Sequence, residues 1–531
     1  MRDNKYDVII IGSGMSGLSA ASILSQLGNK KVLVLERHFK IGGFTHTFKR
    51  KGEHGEYHWD VGLHYVGQME DGTTARSMCD YVTQGGVKWN KMPDPYDVFI
   101  YPDFTFKVRE GERNFKYDLI KKFPHEEKNI EKYFVDLKKV SAWSGRYNFS
   151  LTLPLSARLI SSAISSKGSS LALMTLKEYL DQNFSDVKLK ALLASQWGDY
   201  GLPPSQSALA VHALIVNHYL NGGFYPVGGS KKIADSIIPI VENNGGALLV
   251  NNFVKEIIIE KGKVAGVKVS EKKGNDFVER EYYAEKIIST AGAYITYTEV
   301  IPKTNKPRFI DEVKNFEPGA AHVNLYLGLK ESPAKLGIKG ENYWIYNSYD
   351  HDRRFELNDD IIEGKVNGVY VSFPSMKDPE AKNHTAEIIT FVKYKPFEKW
   401  APEPWKNRGD EYRKLKEKIC DALINFADDH LKGFKKLVDY KELSTPLSTV
   451  YFTGNPLGAI YGIPATPERY RKKWIGPFTH IKNLYLSGAD AFGHGIVGGL
   501  MGGAITAALV MKGFSGIPAV FKEAIKFQHK K

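Results

Sequence analysis

The stretch that decides the fold is DVIIIGSGMSGLSAASILSQLGNKKVLVLE, which runs from Asp7 to Glu36. It opens with the β-branched apolar run DVIIIG and closes with a second apolar run, KVLVLE, and both are typical of buried strands. Between them, SGLSAASILSQLG has the apolar periodicity of a helix. The stretch therefore predicts two parallel strands joined by a helix, the repeating unit of an α/β fold.

Three glycines, Gly12, Gly14 and Gly17, form a GxGxxG pattern in the turn between the first strand and the helix. The first allows a tight turn, the second lets a pyrophosphate approach the backbone, and the third lets the helix pack close to the sheet. The N–H groups at the start of the helix then face the phosphates. Glu36 ends the second strand, where its carboxylate can accept hydrogen bonds from the hydroxyl groups of an adenosine ribose. The pattern predicts a dinucleotide site.

This spacing alone is compatible with either FAD or NAD. The next residues favour FAD, because Arg37 and the doublet Gly42-Gly43 place a second glycine turn soon after the ribose acid. A second turn at this point is expected for a cofactor that extends beyond one pass of the fold. No second GxGxxG follows a strand elsewhere in the sequence, so a separate nicotinamide domain is not expected.

The composition is that of a folded globular protein. The chain has 531 residues, of which 42% are hydrophobic, and 73 Lys and Arg residues against 60 Asp and Glu residues give a net charge of +13. These values exclude disorder throughout the chain. The two cysteines, Cys79 and Cys420, form no CxxC pair, which argues against a disulfide scaffold or a thiolate zinc site. The basic residues form no stripe with aromatic residues, so nucleic-acid binding is not expected.

The uncharged run from Ala491 to Met511 is long enough to be weighed as a membrane span. Its glycines cluster at one end, as in a ligand-binding turn that opens a buried helix. We therefore expect a buried helix here rather than a membrane-spanning one.

The order of several motifs along the chain resembles one known family. The motifs are VLVLERHFKIGGFTHTF, WDVGLHYVG, KFPHEEKNIEKY, ALAVHALIVNHYLNGGFYPVGGSKKIA, SFPSMKDP, STPLSTVYFTGNPLGAIYG and NLYLSGADAFGHGIVGGLMGGA. The chain resembles the FAD-dependent polyene oxidoreductases, which include phytoene desaturases and carotenoid isomerases, and most closely the retinol saturases (all-trans-retinol 13,14-reductases). The likeness runs nearly from end to end.

The resemblance implies an α/β fold with a discontinuous Rossmann-like FAD-binding domain, of the glutathione-reductase/amine-oxidase type, and an inserted α+β substrate domain. The FAD-binding domain is expected to comprise residues 1–68, 222–300 and 478–531. The substrate-binding domain is expected to comprise residues 69–221 and 301–477. Within it, the apolar, serine-rich segment that begins at Ser150 is interpreted either as an ordinary helix pair or as a lid that touches the membrane.

The resemblance also implies which residues bind FAD. The pyrophosphate would be held by Gly12, Ser13, Gly14 and Gly17, and the ribose by Glu36, with Arg37, Gly42, Gly43, Phe44 and Thr45 beside them. The adenine would meet the backbone of Val254, and the ribityl chain would lie beside Gly488 and Asp490. Gly495, Ile496 and Val497 would begin a helix aimed at the flavin, where its partial positive charge can stabilise a reduced flavin.

Two positions depart from the family pattern. The glycine doublet is followed by Phe44 and Thr45 where retinol saturases usually have two cysteines, and His494 stands where the last motif of the family has a proline. Both positions lie near the expected flavin. The departures leave FAD as the expected cofactor and leave the exact substrate open.

The expected activity is the reduction of one carbon–carbon double bond in a hydrophobic polyene, such as a retinoid or a carotenoid. The candidate polar groups near the reacting bond are His64 and Tyr65 in GLHYVG, and His494, because such side chains can donate a proton. A purely structural role in hydrogen bonding is the alternative for all three. A polyene isomerase, a desaturase and a non-catalytic prenyl-binding carrier stay open as alternative functions. The electron donor is not identified.

No metal site is expected. His46, His54, His58 and His64 are close in sequence, but EYHWDVGLHYVG alternates like a strand and does not direct these side chains to one point. The first residues show no secretory signal, and the membrane-targeting leader of the animal family members is not seen, so a cytoplasmic location is expected. Peripheral contact with the inner face of the membrane is a further expectation, since a lysine-rich surface attracts anionic lipid.

Overall fold

The structure is a computed structural model that describes residues 4–154, 157, 160, 164, 166–274 and 276–530. Its strands, in chain order, are β1 (Val8–Ile11), β2 (Val32–Leu35), β3 (Thr47–Lys51), β4 (Glu56–Asp60), β5 (Trp89–Lys91), β6 (Asp97–Tyr101), β7 (Phe104–Val108), β8 (Phe224–Pro226), β9 (Ala247–Leu249), β10 (Asn252–Glu260), β11 (Lys263–Lys273), β12 (Asp276–Tyr283), β13 (Lys286–Ser289), β14 (Ala321–Leu329), β15 (Asn342–Tyr346), β16 (Gly368–Ser372), β17 (His384–Val392), β18 (Val438–Ser444) and β19 (Leu484–Leu486).

The α-helices, numbered in the same way, are α1 (Met15–Gln26), α2 (Thr74–Val82), α3 (Glu112–Lys122), α4 (Glu127–Leu151), α5 (Ser169–Ala172), α6 (Leu176–Asn183), α7 (Val187–Ala194), α8 (Leu209–Tyr219), α9 (Lys231–Asn243), α10 (Ala293–Ile295), α11 (Ile310–Lys314), α12 (His351–Glu356), α13 (Pro374–Lys377), α14 (Gly409–His430), α15 (Pro446–Thr453), α16 (Gly495–Lys512) and α17 (Gly516–His529).

A five-stranded parallel sheet forms the nucleotide-binding side of the molecule, with the strand order β19-β13-β1-β2-β9. Every residue of β1 and β2 is buried, because both faces of the sheet are covered. Val8 and Ile10 pack in the core that contains α1 and α16, whereas Ile9 and Ile11 pack in the core that contains β10 and β11. The strands come from the beginning, the middle and the end of the sequence. The predicted β-α-β unit and the α/β fold class are confirmed.

Helix α16 lies in the core against α1. The carbonyl oxygen of Ser16 is so close to Gly503 that a Cβ atom added there would lie 2.2 Å from it. Leu500 and Ala504 on the same helix are buried. Among the described residues, the helical stretch Gly495–His529 is long and apolar enough to cross a membrane by length and composition alone. The prediction of a buried helix in this run is confirmed by the packing of α16.

A seven-stranded sheet forms the second side, in the order β18-β14-β17-β16-β15-β6-β7. The pair β6 and β15 is parallel, and the other pairs are antiparallel. Successive side chains point to opposite faces of such strands. In β15, Tyr343 and Ile345 point to one face of the sheet and pack in a core that includes Leu423 of α14. Trp344 and Tyr346 point to the other face and pack in a separate core.

Helices α3 to α8 cover that opposite face. Their core includes Phe134 and Leu137 of α4, Leu189 of α7 and Leu209 of α8. The segment predicted as a lid or a helix pair begins in the last turn of α4, and most of residues 155–165 lie outside the described residues. The part that is described contains the C-terminal end of α4, the short helix α5 and helix α6.

Candidate active site

One cavity of about 1150 Å³ lies between the two sheets. Its wall is formed at one end by the glycine turn after β1 and at the other end by aromatic side chains of the seven-stranded sheet and α8. Residues from the beginning, the middle and the end of the chain therefore share one space. The rest of the site is built around this cavity.

The glycine turn after β1 presents free backbone donors to the cavity. Gly12 has a φ of 98°, which favours glycine, and its N–H donates to the carbonyl oxygen of Leu35 at 2.8 Å. Gly14 is the N-cap residue of α1, and the first turn of α1 has neither a capping side chain nor an acidic residue. A Cβ atom added to Gly14 would have no neighbouring atom within 4 Å. Gly17 lies behind the turn and packs against Gly12, so it does not line the cavity.

Glu36 directly follows β2 and is fixed by three hydrogen bonds. Its carboxylate accepts from the N–H of Ser13 at 2.8 Å, from Ser13 Oγ at 2.7 Å and from the N–H of His38 at 2.8 Å. These donors hold the charge at the edge of the cavity. Because Glu36 itself lines the cavity, its remaining lone pairs are available to ribose hydroxyl groups.

The second glycine turn touches the first one. Gly42 and Gly43 have φ values of 124° and 56°, and a Cβ on Gly43 would lie 2.8 Å from the Cα of Gly14. Thr45 Oγ1 donates to the carbonyl oxygen of Gly42 at 2.7 Å, and Phe44 and Thr45 both line the cavity. The two glycine turns that the sequence placed near one cofactor therefore lie side by side, although Gly42 itself is not part of the wall.

Arg37 and Val254 lie at the same end. The Arg37 guanidinium lies 5.1 Å from the ring centre of Phe253, and burial lowers the pKa of Arg37. Val254 follows Phe253 in β10, at an irregularity in the pairing with β11, and both residues line the cavity. The residues that were expected to meet the adenine and its ribose are thus brought together.

The C-terminal turn reaches the cavity through Gly488 and Asp490. Gly488 has a φ of 92°. The Asp490 carboxylate accepts from the N–H of Ala293 and from the N–H of Ile463, each at 2.7 Å. Asp490 therefore joins the start of α10 and the loop at Ile463 to the C-terminal turn, and it also lines the cavity.

Helix α16 opens beside this turn with Gly495, Ile496 and Val497, which all line the cavity. As at α1, no side chain caps the start of α16, and its first turn has no acidic residue. Two helix N-termini thus direct free N–H groups and partial positive charge into the same space. With the ribose acid and the open space at Gly14, this donor set fits the phosphates and the electron-rich ring edge of FAD.

His494 is the N-cap residue of α16, but its ring is already engaged. Its Nε2 lies 3.0 Å from Arg469 Nη1 and 3.1 Å from the carbonyl oxygen of Ile463. Burial and the charge of Arg469 lower the pKa of His494 to about 3. A neutral imidazole that accepts from Arg469 through Nε2 has no proton to give at that atom.

The far end of the cavity is an aromatic chamber. Its aromatic members are Tyr65, Trp197, Tyr219, Trp344, Tyr346, Tyr370, Phe391 and Tyr461. The rings of Tyr65 and Tyr219 stack with their centres 4.1 Å apart, and those of Trp344 and Tyr370 lie 4.6 Å apart. Such a wall excludes water and suits a flat, apolar ligand.

His64 and Tyr65 enter this chamber because strand β4 is shorter than its alternating pattern predicts. The strand ends at Asp60, and the chain then turns toward the cavity. Gly62 allows this turn to pass close to Phe44, since an added Cβ would lie 3.1 Å from the Cβ of Phe44. The expectation of a strand through all of EYHWDVGLHYVG is therefore wrong after Asp60.

Burial keeps His64 neutral. Desolvation and the nearby charge of Lys377 lower the pKa of His64 to about 3. Its Nδ1 lies 3.5 Å from Glu387 Oε2, a carboxyl whose pKa is raised by burial to about 8. Burial also lowers the pKa of the Lys377 ammonium to about 7, and this group donates to the carbonyl oxygen of His64 at 2.9 Å.

His46, His54 and His58, which are close to His64 in sequence, each have a different partner and do not form a metal site with it. His46 Nδ1 lies 2.5 Å from the carbonyl oxygen of Gly43, and His58 Nε2 lies 3.0 Å from Glu56 Oε1. His54 pairs with Asp439 on the surface. In the described part of the chain, Glu53, His54 and Asp439 come close enough for a metal ion, but they are not in the cavity wall.

Four polar residues around the chamber were not predicted from the sequence: Asp97, Asp199, Lys377 and Glu387. Lys377 lies in SFPSMKDP, one of the motifs on which the family resemblance rests, so the sequence could have indicated it as a site residue. Asp97 and Glu387 lie within strands and Asp199 ends a short 3₁₀-helix, in surroundings that give no local pattern. Only the folded sheet brings them together.

Comparison with known proteins finds relatives that match this chain over most of its length. The sequence profile of the flavin containing amine oxidoreductases matches residues 15–511. The all-trans-retinol 13,14-reductase of Danio rerio is 32% identical over 95% of this chain and 86% of its own length. Prolycopene isomerase 1 of an Oncidium hybrid cultivar is 27% identical over 93% of this chain and 81% of its own length.

Solved structures share the fold. Cyclohexylamine oxidase from Brevibacterium oxydans superimposes with a TM-score of 0.59 and 15% identity, covering 96% of this chain and 99% of the oxidase. At that identity the likeness concerns the fold alone. It agrees with the predicted FAD-binding architecture of the amine-oxidase type.

Proposed function

Since this chain belongs to the flavin containing amine oxidoreductase family, and within it to the retinol saturases, we propose that it saturates one carbon–carbon double bond of a hydrophobic polyene. It is an FAD-dependent oxidoreductase, as the sequence predicted. The expected substrate is a retinoid or a carotenoid-like molecule. The observation that carries the proposal is the continuous cavity that joins the nucleotide turns to the aromatic chamber.

The residues of the nucleotide end bind and orient the cofactor. The free N–H groups at the start of α1 would hold the phosphates, Glu36 would bind the ribose, and the start of α16 would lie beside the flavin. Bound here, FAD would supply hydride-transfer chemistry. The positive end of α16 would stabilise negative charge on the reduced ring system.

The residues of the aromatic chamber bind the substrate. Trp197, Trp344 and Tyr370 offer flat aromatic faces, and Ile389 and Ile460 also line the cavity. A conjugated chain gains most from such a wall because its whole length is apolar. Excluding water also prevents side reactions of the reduced cofactor.

The relatives support both the main proposal and one alternative. The Danio rerio protein is named as a reductase of all-trans-retinol, whereas the Oncidium protein is named as a prolycopene isomerase. The higher identity to the reductase favours saturation. A desaturase uses the same scaffold, and a prenyl-binding carrier would not need the two uncapped helix ends in the cavity.

Contact with a membrane is a further part of the proposal, because polyenes reside in lipid. Phe149 and Phe514 are exposed and lie with their ring centres 5.5 Å apart. Phe149 follows Asn148, which lines the cavity at the end of α4. The test is flotation with anionic vesicles, in which replacing both phenylalanines by Glu is expected to leave the protein in the soluble fraction. Equal flotation of both proteins would contradict this contact.

The experiment for the main proposal begins with the visible spectrum of the purified protein, which is expected to show bound flavin. The protein is then reduced anaerobically and mixed with all-trans-retinol or with a carotenoid. Saturation adds two hydrogens to the product, isomerisation leaves the mass unchanged, and desaturation removes two hydrogens. An unchanged mass with every polyene would contradict the saturase proposal. A colourless protein that binds no FAD would contradict the conclusion that the protein is an FAD-dependent oxidoreductase.

A further inference from the structure

A carboxyl group that the sequence did not single out, Asp199, lies in the wall of the aromatic chamber. It ends a 3₁₀-helix, Ser195–Asp199, whose backbone is non-helical at Gln196. The preceding residue, Gly198, packs so closely that a Cβ there would lie 2.7 Å from a ring atom of Trp344. This glycine lets the ring lie on the backbone, so that Asp199 is held beside the space where an apolar substrate would lie.

Asp199 shares one hydroxyl group with a second carboxyl group. Tyr65 Oη lies 2.9 Å from Asp199 Oδ2 and 3.3 Å from Asp97 Oδ2. A phenol has a single hydrogen, so it cannot donate a full hydrogen bond to both. Two buried carboxyl groups at one hydroxyl also cannot both ionise cheaply, since their charges repel. One of the two therefore keeps a proton.

The hydrogen bonds and charges around Asp97 and Asp199 decide which of the two keeps the proton. Asp97 accepts from Asn342 Nδ2 at 2.8 Å and from Gln196 Nε2 at 2.9 Å, and the ammonium of Lys377 lies beside it. Among the described residues, the side-chain hydrogen bond to Asp199 comes from Tyr65 alone. Burial raises the pKa of Asp97 to about 6, whereas burial and the charge of Asp97 raise the pKa of Asp199 well above its usual value. The negative charge belongs on Asp97 and the proton on Asp199.

We infer that Asp199 is the acid that protonates the polyene, an inference that rests on the saturase proposal, and that Tyr65 is the positioning residue that holds it. The hydride from the reduced flavin forms one new C–H bond, and the proton of Asp199 forms the other on the neighbouring carbon. The π bond breaks, the flavin is oxidised by two electrons, and Asp199 is left as a carboxylate. The O–H of Tyr65 stabilises that carboxylate until a proton from water replaces the one lost.

The remaining titratable groups around Asp199 are weaker candidates. Burial raises the pKa of the phenols of Tyr219, Tyr370 and Tyr461, and a negative charge on Asp199 adds to this rise. The neutral imidazole of His64 lies beside Glu387, and Nε2 of His494 is occupied by Arg469. Asp199 combines a protonated carboxyl group with a place in the wall of the chamber.

The test is Asp199→Asn, which keeps the shape of the side chain and removes the acid. Retention of FAD, read from visible absorbance, shows that the variant is folded. After reduction with dithionite, both proteins are mixed anaerobically with all-trans-retinol, and the reoxidation of the flavin is followed. A general acid contributes about 10² to 10⁴ in rate, so a loss of at least about 100-fold is expected. Tyr65→Phe is expected to slow the step less, because the carboxyl group remains.

A second readout does not depend on activity. Infrared difference spectra of the resting holoprotein in H₂O and D₂O report protonated carboxyl groups through their C=O stretch. The wild type is expected to show a band that Asp199→Asn lacks and Tyr65→Phe shifts. Absence of any band assignable to Asp199 would overturn the inference, because the side chain would then hold no proton to transfer.

Asp136→Asn is the matched control. Asp136 is also a buried carboxyl group that accepts from a tyrosine, Tyr179, at 3.1 Å, but it does not line the cavity. Its replacement is expected to leave the rate of flavin reoxidation unchanged. If Asp199→Asn also reoxidises at the wild-type rate while wild-type product gains two hydrogens, the inference is overturned. If the wild type itself yields no heavier product, the saturase proposal fails, and the infrared band still decides the state of Asp199.

Discussion

Two glycines of the nucleotide turn, Gly14 and Gly17, have opposite surroundings, and the difference separates cofactor binding from folding. Gly14 has an ordinary φ of −63°, and nothing in the protein lies within 4 Å of a Cβ added there. The same atom on Gly17 would lie 2.2 Å from the carbonyl oxygen of Gly12. The sequence pattern cannot distinguish the two roles, but the packing does.

The variant Gly14→Ala is expected to fold and to bind FAD poorly. Its methyl group meets no protein atom, so the free energy of unfolding of the apoprotein should change by about 1 kcal/mol or less, the cost of Ala at an N-cap. The methyl group occupies space that the pyrophosphate needs, so FAD affinity should fall at least tenfold, about 1.4 kcal/mol. Titration of the apoprotein with FAD and urea unfolding measure the two effects.

Two further glycine variants serve as comparisons for Gly14→Ala. Gly17→Ala should lower the free energy of unfolding by about 1–3 kcal/mol, because the methyl group overlaps the backbone of the turn. Gly145→Ala, at an exposed and open position in α4, should leave FAD binding unchanged. Unaltered FAD affinity in Gly14→Ala would show that the pyrophosphate does not approach this residue.

Glu387 gives the stability of the protein a distinctive dependence on pH. Burial raises its pKa to about 8 in the folded state, against 4.5 for an ordinary glutamate. Between these values the folded state keeps a proton that the unfolded state has lost, so the contribution of Glu387 to stability falls as the pH rises from 4.5 to 8. Glu387→Gln removes this contribution. Urea unfolding should show the variant gaining roughly 3 kcal/mol in free energy of unfolding relative to wild type between roughly pH 5 and pH 8.

Glu126→Gln is the control for that gain. Burial acts against the charge of Glu126, but hydrogen bonds from Asn129, Ser185 and Asp186 prevail and lower its pKa to about 2. Glu126 is therefore ionised in both states between roughly pH 5 and pH 8. Its replacement should destabilise the protein by an amount that does not change over this range. A pH-independent difference for Glu387→Gln would mean that Glu387 ionises normally in the folded protein.

At the scale of elements, the contact between α1 and α16 joins the two ends of the chain. Gly503 of α16 meets the carbonyl oxygen of Ser16, and Ser19 Oγ donates to the carbonyl oxygen of Leu500 at 2.8 Å. Ser16 Oγ and Ser487 Oγ share a hydrogen bond of 2.6 Å beside them. This close packing places the start of α16 next to the start of α1, which is the arrangement that one extended cofactor requires.

Gly503→Ala is expected to separate these helices. Its Cβ would lie 2.2 Å from the oxygen of Ser16, which backbone movement alone can relieve. The free energy of unfolding should fall by about 1–3 kcal/mol, and bound FAD should be lost more readily than in wild type. Urea unfolding and the flavin content after dialysis measure the two effects. Stability equal to wild type in this variant, with Gly145→Ala as reference, would contradict the close contact.

The elements that local patterns describe were predictable, and those that depend on distant contacts were not. The β1-α1-β2 unit and helix α16 follow from periodicity and glycine spacing. Strand β4 was read as longer than it is, because alternation continues past Asp60 while the backbone turns toward Phe44. The cluster of Asp97, Asp199 and Glu387 arises from residues far apart in sequence, which the sheet brings together.

At the scale of the whole molecule, the cavity brings together segments that are distant in sequence, so that FAD bound in it would connect them. Gly14, Val254 and Gly488 line it from the beginning, the middle and the end of the chain. A ligand that contacts all three can bind only when the complete fold is present. The family resemblance predicted this convergence, but periodicity and spacing alone gave no distance between the two ends.

Removal of FAD is therefore expected to lower the stability of the whole chain in one transition. A ligand that binds only the folded state adds about 2.7 kcal/mol at a free concentration 100 times its Kd. The midpoint of thermal unfolding should thus rise with added FAD, and Gly145→Ala should show the same rise. Gly14→Ala should show a smaller rise at each concentration, because its affinity is lower and its fold is intact. A midpoint that does not respond to FAD, or a rise confined to one of two separate transitions, would mean that the cofactor does not connect the two ends of the chain.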